Sequence, residues 1–203
     1  VRGPRYGRAV KASELPKHVV EAFIGAEDRR FREHTGVDMW AIVRAFLANA
    51  RAGHTVEGAS TITQQLVKNL FLTPDQTLKR KAQEARLAGD LERLLTKDEI
   101  LDLYLNRIYL GAGAYGLDAA ARTYFGKQPA DLTLAESAML ASFPKAPTRF
   151  ANQVQTSKAK ERQHYVLTQM VEAGFISQTQ ADEAKNQELI FAKDTPDTFT
   201  GHA

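Results

Sequence analysis

A chain of 203 residues, 43% of them hydrophobic, has enough material for a core of ordinary domain size, which excludes a disordered chain. It contains no cysteine, which excludes a disulfide framework and thiolate metal sites, and no apolar run approaches the roughly 18 residues of a membrane-crossing helix. A net charge of +3 fits an anionic partner such as a phosphate group or a lipid surface without identifying one, and nucleic acid is not expected among the partners.

The opening residues, VRGPRYGR, are polar and irregular and carry no secretory signal. They suggest a piece of a longer protein, with any membrane anchor upstream. A first helix is expected after Ser13, turning Val19, Val20, Phe23 and Ile24 inward. It runs into the acidic pair Glu27 and Asp28, and the stretch 21–36, EAFIGAEDRRFREHTG, ends at Gly36. On a continuous helix Glu27, Phe31 and His34 fall at i, i+4 and i+7 and share one face, with Arg29 and Arg30 close by.

Asp38 is positioned to cap a second helix that Gly53 closes. Its stripe of Met39, Ile42, Val43 and Phe46, with Trp40 and Leu47 beside it and Arg44 and Arg51 elsewhere, suits either a core or an interfacial helix. A polar link, 54–59, leads to a third helix capped by Ser60 and running through Phe71. There Thr61, Gln65 and Lys68 share one face, while Ile62, Leu66 and Leu70 form an apolar stripe. Hydroxyl, amide and ammonium donors beside a helix N-terminus with free backbone N–H groups suit a sugar or phosphate groove.

Thr77 is expected to start a long fourth helix. Within it Arg80 and Lys81 precede Glu84 by four and three residues, so both cations flank that carboxylate. Opposite charges favour its ionised form, which makes Glu84 a permanent anion rather than a proton donor. Thr96 with Glu99 makes a capping box for a fifth helix, ended by Gly111. Gly111, Gly113 and Gly116 match G-x-G-x-x-G with Glu136 twenty residues on, but a helix precedes them and no parallel sheet is in prospect. A tight turn between helices is therefore expected, not a dinucleotide site.

A sixth helix spans 117–125, Thr133 with Glu136 boxes a short one that Pro144 stops, and 145–156 is a second irregular link. Helices over 157–173 and 177–188 complete the set, with a faint strand signal at 188–191 only. The fold expected is mainly α with short loops. Neither H-E-x-x-H nor an EF-hand pattern occurs, and His18, His54, His164 and His202 have no companions in ligand spacing.

Five blocks in order resemble the family 51 peptidoglycan glycosyltransferases, the domain of class A penicillin-binding proteins. They are Glu27-Asp28-x-x-Phe31-x-x-His34-x-Gly36; Gly58-x-Ser60-Thr61-Ile62-Thr63-Gln64-Gln65-x-x-Lys68-Asn69; Arg80-Lys81-x-x-Glu84; Asn106-Arg107-x-Tyr109-x-Gly111-x-Gly113-x-Tyr115-Gly116; and Leu134-Ala135-Glu136 with Leu140 and Pro144. The likeness covers about residues 12–150, and 158–191 resembles the helical linker that follows this domain in bifunctional proteins. The resemblance thus implies a glycosyltransferase domain over 1–150 and a helical linker over 151–203 towards a transpeptidase domain. The transpeptidase set, S-x-x-K together with K-T-G, is not recognised, so peptide cross-linking is not expected of this chain.

The resemblance implies a lysozyme-like helical lobe with a smaller membrane-proximal lobe. It implies lipid II as substrate and a growing β-1,4 glycan strand as product, made with inversion at the donor sugar and release of undecaprenyl diphosphate. Glu27 matches the general base for the acceptor 4-hydroxyl. Glu84 matches the glutamate that assists diphosphate departure, directly or through a divalent metal, magnesium or manganese. Lys68, Arg80 and Lys81 match phosphate-holding positions. Asp28, Phe31, His34, Ser60, Thr61, Gln64, Gln65, Asn69, Asn106 and Arg107 match substrate-binding positions. The setting implied is the periplasmic face of a bacterial inner membrane, with the helix around Trp40 meeting lipid and moenomycin-type phosphoglycolipids as inhibitors. The two glutamates are expected to face one cleft, too far apart for the retaining geometry of glycosidases. Two other readings compete: a lysozyme-like glycan-cleaving enzyme, and a non-catalytic helical module that binds glycan or lipid.

Overall fold

The computed structural model describes residues 4–54, 58–71, 78–151 and 154–192. In order, these form β1 (Arg5–Tyr6), α1 (Lys17–Glu27), α2 (Met39–Ala52), α3 (Ile62–Phe71), α4 (Leu78–Leu94), α5 (Lys97–Arg107), β2 (Ala114–Tyr115), α6 (Leu117–Phe125), α7 (Leu134–Ala141), α8 (Pro147–Ala151), α9 (Ser157–Glu172) and α10 (Gln178–Asn186). The fold is mainly α, as the caps and periodicity require. The chain divides into two units, one made of Val1–Arg29 with Leu105–Ala203 and the other of Arg30–Tyr104. The cap expected at Thr77, parts of both irregular links and His202 lie outside the described residues.

In the first unit α1, α7 and α9 pack on one another. Val19, Phe23 and Ile24 of α1, Ala138 and Met139 of α7, and Leu167 and Met170 of α9 are buried. Each of these side chains other than Ala138 stabilises the fold by about 1.5–3 kcal/mol, so this three-helix core fixes the end of α1 that carries Glu27. The helix begins later than expected. Ser13 lies in a 3-10 turn, and Leu15, immediately before Pro16, is extended at φ −95°, ψ 151°. A residue preceding proline is disfavoured in the α region, so α1 starts only at Lys17, beyond Pro16.

The strand signal at 188–191 does not produce a strand. That segment is held instead by the Ala192 N–H donating to the Tyr124 carbonyl at 2.8 Å and by Phe191 stacked on Phe125 at 5.4 Å. The extended pairing comes from the opening stretch, where β1 runs parallel to β2 with Arg5 opposite Ala114 and Tyr6 opposite Tyr115. The fifth helix also stops earlier than Gly111, at Arg107, because Leu110 and Tyr109 turn back to pair with Ala114 and Tyr115. Gly111 sits at φ +81°, and a Cβ there would lie 2.4 Å from both the Pro147 carbonyl oxygen and Ala151 Cβ. The G-x-G-x-x-G spacing is thus a close-approach turn, as its flanking helices required.

In the second unit α3 and α4 pack together. Asp38 caps α2, its carboxylate accepting from the Ala41 N–H at 3.0 Å, and Gly53 closes it in the left-handed conformation. Between the units of sequence that form α1 and α2, Gly36 takes φ +92°, and a Cβ there would meet the Gly89 nitrogen at 2.7 Å. The loop backbone therefore lies directly on α4 at a point only glycine allows. The core alternative for α2 fails: Ala45 is its buried residue, while Trp40 is 69% and Phe46 71% exposed.

Candidate active site

Glu27 is the last helical residue of α1, half-buried. Asp28 caps the helix at φ −159°, ψ 74°, its N–H donating to the Ile24 carbonyl at 2.8 Å, and its side chain is buried. The expected common face of Glu27, Phe31 and His34 does not form, because the helix stops before Phe31. Asp is a poor helix continuer, since its short carboxylate competes for nearby backbone groups. Phe31 and His34 belong to the second unit instead. Phe31 is fully buried, with the Lys97 ammonium 4.5 Å from its ring centroid and the His34 ring edge-on at 6.2 Å. His34 Nδ1 lies 4.0 Å from Glu92 Oε1, both side chains buried. These two rings seat the loop that leads to α2.

The second unit also holds the charged centre. Glu84 is 4% exposed. Its Oε1 accepts from Arg80 Nη2 at 3.0 Å and Nε at 3.3 Å, and its Oε2 from Lys81 Nζ at 2.8 Å. Burial pushes its carboxyl pKa up, but the hydrogen bonds and charges of Lys81 and Arg80 outweigh this and hold it below its ordinary value. The local reason is the i+3 and i+4 spacing, which brings both cations over one carboxylate on α4. Lys81, half-exposed, also donates to Ser60 Oγ at 2.8 Å.

That bond changes the cap of α3. Thr61 caps the helix, not Ser60: its Oγ1 accepts from the Gln64 N–H at 3.1 Å, while Gln64 Oε1 accepts from the Thr61 N–H at 3.0 Å. The pair is a reciprocal capping box, so these amides are not the free donors expected at this helix start. Thr61 Oγ1 also donates to the Gly36 carbonyl at 2.6 Å. Thr61 and Gln64 are therefore buried structural groups, and Thr61 does not share a presented face with Gln65 and Lys68. Gln65 is half-buried, with Tyr104 Oη 3.4 Å from its Oε1, and Lys68 and Asn69 are exposed.

In the first unit Asn106 is also spent structurally. Its Oδ1 accepts from the Val10 N–H at 2.8 Å and its Nδ2 donates to the Val10 carbonyl at 2.7 Å, clamping the opening segment. Arg107 is exposed. Glu136 completes the box on α7 with Thr133 and pairs with Lys127 at 2.8 Å. S-x-x-K taken alone does occur, at Ser142 with Lys145 and Ser157 with Lys160. Ser142 is buried with its hydroxyl donating to the Met139 carbonyl at 2.7 Å, which is no nucleophile site.

The donor set at Glu84 does not suit a divalent metal. Both carboxylate oxygens already accept from cations, an ion arriving at Oε2 has to displace the Lys81 ammonium, and no cluster of three metal-ligating side chains occurs among the described residues. Sequence reasoning missed Glu92. Its Oε1 accepts from Thr63 Oγ1 at 2.6 Å and its Oε2 lies 2.7 Å from Lys97 Nζ, so it ties α3, α4, the start of α5 and the His34 loop together. Its spacing of eight from Glu84, two helical turns, was the available signal.

The family model described as Transglycosylase matches residues 2–171. The chain is 48% identical over 193 residues to penicillin-binding protein 1A of Aquifex aeolicus, covering 95% of this chain and 27% of that one. It is 49% identical over 180 residues to penicillin-binding protein 1A of Escherichia coli, covering 89% of this chain and 21% of that one. It therefore spans about a quarter of the length of these relatives. A crystal structure of penicillin-binding protein 1A from Haemophilus influenzae superposes with a TM-score of 0.56 at 26% identity, over 94% of this chain and 19% of that one.

Proposed function

The chain belongs to the transglycosylase family, and on that premise we propose that it polymerises lipid II into β-1,4-linked glycan strands of peptidoglycan, releasing undecaprenyl diphosphate. The observation that carries this reading is the buried carboxylate of Glu84, held ionised between Arg80 and Lys81. A permanent anion that orders two cations suits a diphosphate leaving group, whose departure needs positive charge more than a strong acid. Lys68, exposed in the same unit, is a further cation for the same groups. The acceptor is an alcohol and needs a base, the role we give to Glu27. A single displacement then inverts the donor sugar.

A lysozyme-like hydrolase is less well served, because it leaves the two cations that converge on Glu84 without a role. The test is incubation of the chain with lipid II in detergent, with and without a chelator. A lengthening β-1,4 strand is the expected product; cleaved glycan or an α linkage would overturn the assignment. The chelator arm reads any metal contribution at the diphosphate separately. Moenomycin-type phosphoglycolipids are expected to compete for the Arg80 and Lys81 cations.

The proposed setting is the periplasmic face of the inner membrane, with residues beyond 150 leading towards a transpeptidase domain. Among the described residues no helix is long and apolar enough to cross a membrane. What suits a lipid surface is the exposed apolar stripe of α2, Met39, Trp40, Val43 and Phe46, with Arg44 and Arg51 on the same helix. Trp40 is the single tryptophan. Its emission is expected to shift to the blue on addition of anionic vesicles; an unchanged spectrum from folded protein would remove α2 from the interface.

A further inference from the structure

Two contacts fix the last turn of α1 onto α9, and neither involves a residue of the five sequence blocks apart from the spacer Arg29. Gly25, two residues before Glu27, meets α9 at close quarters: a Cβ there would lie 3.0 Å from Met170 Cγ and 3.6 Å from the Met170 backbone. Two residues beyond Glu27, the Arg29 guanidinium donates to Glu172 Oε2, at the end of α9. Gln169, one turn earlier on α9 and buried, donates to the same Glu172 oxygen at 3.3 Å, which holds the carboxylate in place. Glu27 is thus bracketed on both sides by anchors on one helix of its own unit.

We propose that Arg29 and Glu172 are positioning residues, which set where the Glu27 carboxylate sits by pinning the end of α1 to α9. The proposal rests on Glu27 acting as the base. The Arg29 side chain is 20% exposed and that of Glu172 50% exposed. Pairs this accessible contribute little to global stability, so stability is a poor reason for the arrangement. Position is a better one, because a displacement of about 1 Å at a reacting group costs on the order of 100-fold in rate. The segment beyond the core transglycosylase motifs then supports the chemistry directly, and α9 is the route by which strain further along the chain would reach Glu27.

The test compares Arg29→Ala, Arg29→Lys, Glu172→Gln and the swapped pair Arg29→Glu with Glu172→Arg, all in the 203-residue chain. Two readouts are used. In polymerisation, Arg29→Ala is expected to lower kcat at least about tenfold with KM within twofold, and the swapped pair to recover most of the loss. In hydrogen exchange, the Asp28 amide, which donates to Ile24 at the end of α1, is expected to exchange about tenfold faster in Arg29→Ala, with the α7 amides unchanged. Unchanged exchange at Asp28 overturns the anchor whatever the assay shows. Faster exchange with undiminished kcat overturns the positioning role. Absence of polymer from the wild-type chain overturns the function proposed above, and leaves exchange to decide the anchor.

Discussion

Glu27→Gln is expected to lower polymerisation from lipid II by roughly 10²–10⁴-fold, the usual contribution of a general base, while helix content and melting temperature stay near wild type. The substitution keeps the size and shape of the side chain while removing its negative charge and its basicity. Glu27 is half-buried at the last position of α1, and the helix is terminated by Asp28 and packed through Val19, Phe23 and Ile24, none of which the change replaces. Initial rates on lipid II in detergent decide the matter. A variant retaining a tenth of the wild-type rate removes Glu27 from the role of base. A variant that melts early would instead show that the carboxylate belongs to the packing of α1.

Glu84→Gln is expected to have the second largest effect, and on two observables. Polymerisation falls by roughly 10²–10³-fold, as for other losses of preorganised electrostatics, because Arg80 and Lys81 lose the anion that holds them side by side. Stability falls by up to about 3 kcal/mol, the lower range for breaking a buried pair, with Arg80 left buried beside a neutral amide. The pH dependence has a definite sign. The Glu84 carboxyl is lowered in the folded chain, against the upward push of burial, by Lys81 and Arg80. The unfolded chain therefore binds its proton first as pH falls, and stability drops. The difference in unfolding free energy between wild type and variant should be constant above about pH 4.5, the ordinary value, and shrink as pH falls through the lower folded value. Denaturant unfolding at a series of pH values measures this, and a difference that grows on acidification would show that Glu84 is not held ionised. Lys81→Ala, at a half-exposed position, should weaken diphosphate-lipid binding with a smaller loss of stability.

What the sequence determined by itself is what lies within one or two helical turns. The boxes of Thr96 with Glu99, Thr133 with Glu136 and Ser177 with Gln180 form as their spacing dictates, and Gly53 and Gly126 close their helices. The convergence of Arg80 and Lys81 on Glu84 belongs to the same class, since helical periodicity alone brings these side chains together. Family membership was legible for a related reason: five short blocks keep their residue types and order.

The tertiary structure decided everything that depends on which surfaces meet. Ser60 and Thr61 are adjacent hydroxyls that can both cap, serine by propensity the better, and the choice of Thr61 follows from Lys81 reaching Ser60 and Thr61 reaching Gly36, 21 and 25 residues away. Phe31 and His34 share a face with Glu27 only on a continuous helix, but α1 ends before them, and Lys97 and Glu92 lie beside their rings instead. The α2 stripe has the same period whether it faces a core or solvent, so its exposure was open until the packing of the second unit left it uncovered. The pairing of β1 with β2 joins segments more than a hundred residues apart, with two residues in each strand. Strands so short carry no alternation to read. Local hydrogen bonds are set by the backbone's own geometry, whereas contacts distant in sequence form only when the gain from burial exceeds the entropy of closing the chain between them, and that balance is struck by the whole fold.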